Sequence, residues 1–186
     1  MEITKAVMSY KQFLFLLRCV RFDDKSATYK RERQATDKLA AIRSMFDEFI
    51  GNSKNTYSLS EFITVNEKLQ SFRRKCSFIQ YIPNKSAKYG LKLFLLTDAK
   101  TFLTSNMEIY CGKQAEGPYA ESISPLDIVS RLVTRIGGSN RHVTMDNWYT
   151  NHPLAIRLLE KNPPFLYSGT KRIWLWDLLY PRRTRL

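Results

Sequence analysis

The residues able to do chemistry gather around Asp146. The stretch Arg141-His142-Val143-Thr144-Met145 alternates and predicts a strand. Asp146-Asn147-Trp148-Tyr149-Thr150-Asn151 follows, and a helix-compatible run from Pro153 to Leu159 comes next. Asp146 is therefore expected at the carboxyl end of a strand, where ligand and metal sites gather in α/β sheets. A carboxylate there suits magnesium or manganese, which take oxygen ligands. Two such ions can stabilise the attacking and leaving oxygens of a phosphoryl transfer. That chemistry needs a second carboxylate on a neighbouring strand, and the candidate segment reads Val65-Asn66-Glu67. Asn66 can coordinate a metal but brings no charge. Glu67 brings the charge, but one residue along a strand points to the opposite face.

Other reactive types stand in weaker contexts. His142 and His152 flank Asp146, yet neither has a second histidine or cysteine at metal-ligand spacing, so both read as structural. Trp148 is expected to be a core or packing residue beside the acid. Asp98 reads as a hairpin-turn residue rather than a ligand. Ser124 and Cys76 belong to no nucleophile constellation. The three cysteines, Cys19, Cys76 and Cys111, are widely spaced and form no CxxC, which argues against structural zinc and for reduced thiols in the cytosol or nucleus.

A second feature is electrostatic. Between Lys68 and Lys92 the chain carries seven lysines or arginines and no acid, with Phe72, Phe78, Tyr81 and Tyr89 interleaved. Basic side chains neutralise phosphates and aromatic faces stack on unpaired bases. Arg73, Arg74, Lys75, Lys85, Lys88 and Lys92 are the candidate DNA contacts. The whole chain has 30 basic against 17 acidic residues, a formal charge of +13 that favours a polyanionic partner.

The elements that must position these residues follow from periodicity. Ser9 caps a helix predicted to run to Phe22, with Phe13, Leu16, Leu17 and Val20 on one face. Thr28 to Thr36 is polar and reads as a loop. Thr36 or Asp37 opens a second helix to about Ser53, with Gly51-Asn52 as its stop signal. Strands are predicted at Leu59–Glu67, Phe78–Ile82, Tyr89–Thr97 and Phe102–Cys111, with Asp98-Ala99-Lys100 as a turn. Ser124-Pro125 opens a helix whose buried face holds Leu126, Val129, Leu132, Val133 and Ile136. The Asp146 strand, a helix to about Glu160 and a short strand at Phe165-Leu166-Tyr167 complete the order.

Antiparallel strands followed by helix, strand, helix, strand is the order of an α/β, ribonuclease H-like mixed sheet with flanking helices, here preceded by an α-helical lead-in. The expected organisation is an N-terminal helical region at 1–56, a partial ribonuclease H-like core at 57–170 and a basic, aromatic tail at 171–186. That tail holds five basic residues besides Trp174, Trp176 and Tyr180. The N-terminus lacks the long apolar run of a signal peptide, and no run approaches the roughly 18 residues that span a bilayer.

Three strings carry a family resemblance: Phe72-Arg73-Arg74-Lys75-Cys76, the run Tyr81-Ile82-Pro83-Asn84-Lys85-Ser86-Ala87-Lys88-Tyr89-Gly90-Leu91-Lys92, and Asp146-Asn147-Trp148-Tyr149-Thr150. They resemble the transposase domain of piggyBac-type elements, and the resemblance extends over roughly residues 5 to 170. It implies a ribonuclease H-like core with three metal-binding aspartates. It also implies Mg²⁺ or Mn²⁺ as cofactor and DNA cut and rejoined at TTAA sites. Helical DNA-binding and dimerisation regions precede the core in such transposases, and a cysteine-rich zinc domain follows it. On this resemblance Asp146 matches the second acid. Asn66 stands where the first acid of the family falls, in Val65-Asn66-Glu67-Lys68-Leu69. The family's third acid lies further downstream than Leu186, as does its zinc domain, so the core is expected to be incomplete at the C-terminus.

The expectation is a transposase-derived protein, catalytically inactive, with DNA binding of little sequence preference and no tightly held metal. Two alternatives remain: an interaction module pairing through its N-terminal helices with itself or a full-length relative, and a metal-dependent nuclease using Glu67, Asp146 and a further acid. Ancestry and charge predict nuclear residence, although Arg182-Arg183-Thr184-Arg185 is short for an import signal. An incomplete core predicts exposed apolar surface and self-association.

Overall fold

The computed structural model describes residues 7–20, 22, 27–160 and 166–168. Its frame is one long antiparallel pairing. Strand β1 (Phe62–Ser71) pairs with β3 (Tyr89–Asp98) from Ile63↔Asp98 to Ser71↔Gly90. Alternation along β1 buries Ile63, Val65 and Leu69. At the far end of the ladder Gly90 is a steric requirement. A Cβ added there would stand 2.1 Å from the Gln70 carbonyl oxygen, so a side chain would force the two strands apart.

The other edge of β3 is shared by two short strands. β2 (Gln80–Tyr81) pairs with Tyr89 and Gly90, and β4 (Thr104–Ile109) pairs with Leu93 to Thr97. On the opposite side β1 pairs in parallel with β5 (His142–Met145), and β5 in parallel with β6 (Leu166–Ser168). The resulting order, with β4 on β3, then β1, β5 and β6, is the mixed ribonuclease H-like sheet expected from the sequence.

The parallel β1–β5 step needs a crossover, and helix α4 (Pro125–Val133) supplies it. Pro125 at its first turn fixes a helical φ without losing a needed N–H. Ile128, Val129, Leu132 and Val133 pack on Ile63, Val65, Phe94, Leu96, Val143 and Met145. Helix α5 (His152–Glu160) adds Leu154 and Leu158 to the same cluster.

The lead-in departs from expectation. Thr28–Thr36, read as a loop, lies in helix α2 (Ala27–Thr36). The stretch has no apolar periodicity, but Lys30, Arg31, Glu32, Arg33 and Gln34 are good helix formers, so propensity carries it. The helix expected from Asp37 instead begins at Arg43, as α3 (Arg43–Thr56). Asp37 clamps a turn before it: its carboxylate accepts Leu39 N–H at 2.9 Å and takes both Arg43 Nε and Nη2 at 2.8 Å. Burial pushes the Asp37 carboxyl up, and the Arg43 guanidinium and Leu39 amide more than offset it, leaving it below its ordinary value. Nor does Gly51-Asn52 stop α3. The helix buries Ile50 and packs along β4, and tertiary packing overrides a local stop signal.

Helix α1 (Tyr10–Cys19) forms with Ser9 as its cap, accepting Gln12 N–H at 3.3 Å, but it ends before the predicted Phe22 and buries none of its residues. β1 starts at Phe62 and runs on to Ser71, past the predicted end at Glu67. The predicted strand start at Phe165 and the tail Lys171–Leu186 lie outside the described residues.

Asp98 closes the β3–β4 hairpin. It is fully buried, and its carboxylate accepts Ser60 N–H at 2.6 Å, Lys100 N–H at 2.8 Å, Thr101 N–H at 3.1 Å and Tyr57 O–H at 3.1 Å. Burial pushes this carboxyl up, but the amide donors outweigh it and hold Asp98 well below the carboxylate range. Asp98 is thus a structural anchor, in keeping with its reading as a turn residue.

Candidate active site

The end of β5 meets the middle of β1 at the site. The last registered pair of β1 and β5 is Val65↔Met145, and both side chains are buried. Asn66 and Asp146 come next on their strands, and both are exposed. Parallel pairing therefore carries the amide and the acid to neighbouring positions at the carboxyl edge.

Local hydrogen bonds shape the turn after β5. Asp146 Oδ1 accepts Trp148 N–H at 2.6 Å, and its carbonyl accepts Tyr149 N–H at 3.2 Å and Thr150 O–H at 2.9 Å. Asn151 Oδ1 then accepts Leu154 N–H at 2.9 Å, the contact of an N-cap on α5. The string from Asp146 to Asn151 is thus a turn and a helix cap in succession, which holds the acid at the sheet edge.

Trp148 packs beside the acid but is not a core residue. Trp148 is 47% exposed and stacks on Phe94 at 5.9 Å with a 7° interplanar angle. Tyr149 is the core residue: it is fully buried, edge-on to Trp148 at 4.8 Å, and its hydroxyl has no hydrogen-bond partner. Burial pushes the Tyr149 phenol well above its ordinary value. A tyrosine one residue after an exposed tryptophan follows from the tightness of the turn, which periodicity does not report.

Glu67 is not free to serve a metal. Its carboxylate lies 2.7 Å from Lys92 Nζ and 3.4 Å from Lys85 Nζ. Burial pushes the Glu67 carboxyl up, but Lys92 and then Lys85 more than offset this and leave it below its usual value. Lys92 also sits over the Trp148 ring at 4.7 Å. Glu67, Lys92 and Trp148 therefore tie β1, β3 and the Asp146 turn together.

The basic segment divides into two groups. Arg73, Arg74, Lys75 and Lys88 are exposed and make no ion pair among the described residues. Lys85 and Lys92 spend their charge on Glu67. The counter-charge comes from one residue outside the acid-free run, so the run overstates the charge available to a partner. Tyr81 and Tyr89 are exposed on the same hairpin and lie 4.6 Å apart, ring to ring. His142 stacks on Phe62 at 5.0 Å and lies 3.4 Å from Glu61, while Cys111 is buried and its thiol is pushed up to about 12 by that burial.

A sheet of this order with an acid after β5 defines a protein built on the ribonuclease H-like plan. A family model described as Transposase IS4 matches residues 1–171, and the chain belongs to that family, the piggyBac-type transposases. The structure is similar to a piggyBac transposase solved as a synaptic complex with hairpin DNA, with a TM-score of 0.72 and 32% identity over 96% of this chain. The chain spans 37% of that transposase's length.

Transposases of this kind generally use divalent metal ions. Among the described residues the two strands offer one carboxylate, Asp146, one amide, Asn66, and a glutamate, Glu67, held by two lysines. Among the described residues no three histidine, cysteine or acidic side chains are grouped to hold a metal.

Proposed function

We propose that this chain is a transposase-derived DNA-binding protein whose strand-end site does not support metal-dependent phosphoryl transfer. One observation carries the reading: Val65 and Met145 are parallel partners, and the residue that follows Val65 is the neutral Asn66 while the residue that follows Met145 is Asp146, where a two-ion site needs a second charge. A neutral ligand there leaves the developing negative charge of the reaction under-compensated. The exposed Arg73, Arg74, Lys75 and Lys88, with Tyr81 and Tyr89, support retention of a nucleic-acid face. Contacts of this kind go to phosphates and carry little sequence information.

The test is duplex binding measured across a salt series, alongside cleavage assays with Mg²⁺ and Mn²⁺. Binding that weakens steadily with added salt, without cleavage, supports the reading. Salt-independent binding, or Asp146-dependent cleavage, overturns it.

A second reading has its own observation. Helix α1 leaves Phe13, Leu16 and Leu17 exposed in one apolar row, with Val20 exposed just past its end. Pairing with a second copy or a full-length relative through α1 would cover it. Sedimentation that stays monomeric at high concentration, together with failure to co-purify with a full-length relative, would remove this reading.

A further inference from the structure

A cavity of about 220 Å³ lies at the end of the sheet opposite Asp146, beneath the start of β5. Lys54, Arg135 and Arg141 line it, and no aspartate or glutamate does. The larger cavity, beside α3 and β4, is different. Its arginines, Arg43 and Arg131, are each held by a carboxylate: Arg43 by Asp37, and Arg131 by Glu108 at 2.8 Å. Among the described residues Lys54, Arg135 and Arg141 form no ion pair.

Part of this charge is braced by backbone. Arg141 Nε donates to the Leu59 and Ser60 carbonyls at 3.2 and 3.1 Å, and its Nη2 donates to Leu59 at 3.1 Å. Arg135 Nη1 donates to the Lys54 carbonyl and to Asn55 Oδ1. These bonds hold the guanidinium groups in place without neutralising them. Arg141 Nη1 and the Lys54 ammonium keep their donors. Asp98 reaches this region through its hydrogen bond from Ser60 N–H, but its oxygens are taken by Tyr57 and three amides, and it does not line the cavity.

The independent observation is Ser105. It lines the same cavity and is only 4% exposed; among the described residues its hydroxyl makes no hydrogen bond, and it is not one of the fully enclosed unpartnered atoms, so it opens to the cavity. A hydroxyl open to a cavity and without a protein partner is available to donate to a ligand there. Three unneutralised cations and an unpartnered hydroxyl around one space have the chemistry of an oxyanion receptor.

We infer that this cavity binds a phosphate oxyanion, through Lys54 and Arg141 with Ser105 as the neutral donor. Its volume is below the roughly 300 Å³ at which drug-sized ligand sites begin, which suits a single phosphate group. The group is either a free phosphate or one phosphodiester of a nucleic acid strand. The site is independent of Asn66 and Asp146, so it stands or falls apart from the proposal above.

The experiment titrates the full chain with inorganic phosphate, followed by ³¹P NMR, and in parallel measures affinity for a DNA duplex. Lys54→Gln is the main variant, because the Lys54 ammonium braces nothing, and Ser105→Ala is the second. Lys100→Gln removes one exposed charge outside the cavity and serves as control. Phosphate binding that weakens about tenfold or more in Lys54→Gln, less in Ser105→Ala and not in Lys100→Gln is expected, the loss of one charge-assisted hydrogen bond. If duplex affinity is unchanged by Lys54→Gln, the occupant is the free anion. If duplex affinity falls by a similar factor, it is a backbone phosphate. Absence of phosphate binding with unchanged duplex affinity, or equal binding by all four proteins, overturns the inference.

Discussion

Asn66 and Asp146 each stand one residue beyond the paired Val65 and Met145, Asp146 just past the end of β5 and Asn66 within β1, where its pairing with β5 stops. The parallel register sets these two residues one step past the same pair, while their side chains supply a single charge. Replacing Asn66 with Asp should change the chemistry without changing the strand. The expected outcome is weak Mn²⁺ binding by the native chain and binding about tenfold tighter in Asn66→Asp, lost again when Asp146→Ala is added. Calorimetry reads both. Equal affinity in the native chain and Asn66→Asp would mean that the two positions do not form one site.

Glu67 offers a second test, because it withholds two lysines from any partner. Glu67→Gln should release Lys85 and Lys92, raising duplex affinity at low salt and steepening the salt dependence by up to about two phosphate contacts. Stability should move the other way. The Glu67 carboxyl is depressed in the folded chain, so its contribution is full at neutral pH. That contribution is lost as pH falls below the ordinary glutamate value of 4.5. Urea midpoints measured from pH 7 downward should fall less steeply in Glu67→Gln than in the native chain. A variant with unchanged DNA binding would show that these lysines face away from the partner.

Much of this site was legible in the sequence. The strand before Asp146, the helix after it and the β3–β4 hairpin all follow from alternation and punctuation, because each has one buried face and a sharp end. The status of Glu67 was not legible: its lysine partners lie on a different strand and loop, and only the β1–β3 register brings Lys92 to it. The turn at Asp37 was hidden for a similar reason. An aspartate before a helical run reads as a cap, whereas here it holds Arg43 and delays the helix by six residues. Likewise the α2 residues carry no apolar period, so only their propensity signals a helix.

Asp98 should be among the most costly single positions outside the apolar core. Asp98→Ala leaves the amides of Ser60, Lys100 and Thr101 without their acceptor inside the fold. A loss of about 2–4 kcal/mol in urea unfolding is expected. Asp98→Asn keeps the shape and one acceptor oxygen and should lose less. A negligible effect of Asp98→Ala would show that the hairpin is held by the β3–β4 ladder alone.

Tyr149 makes the opposite prediction. Its ring fills the space beside Phe94 and Trp148, but its hydroxyl is buried without a partner and lies in the field of Glu67 and Asp146. Removing only the oxygen leaves the packing intact and ends the desolvation cost. Tyr149→Phe is therefore expected to raise stability by about 1 kcal/mol, read as a higher urea midpoint at unchanged slope. Tyr149→Ala should instead cost about 3–5 kcal/mol, because it opens a cavity against the sheet. Destabilisation by Tyr149→Phe would mean that the hydroxyl has a hydrogen-bond partner in solution, and the phenol would then belong to the polar network of Asp146 rather than to the core.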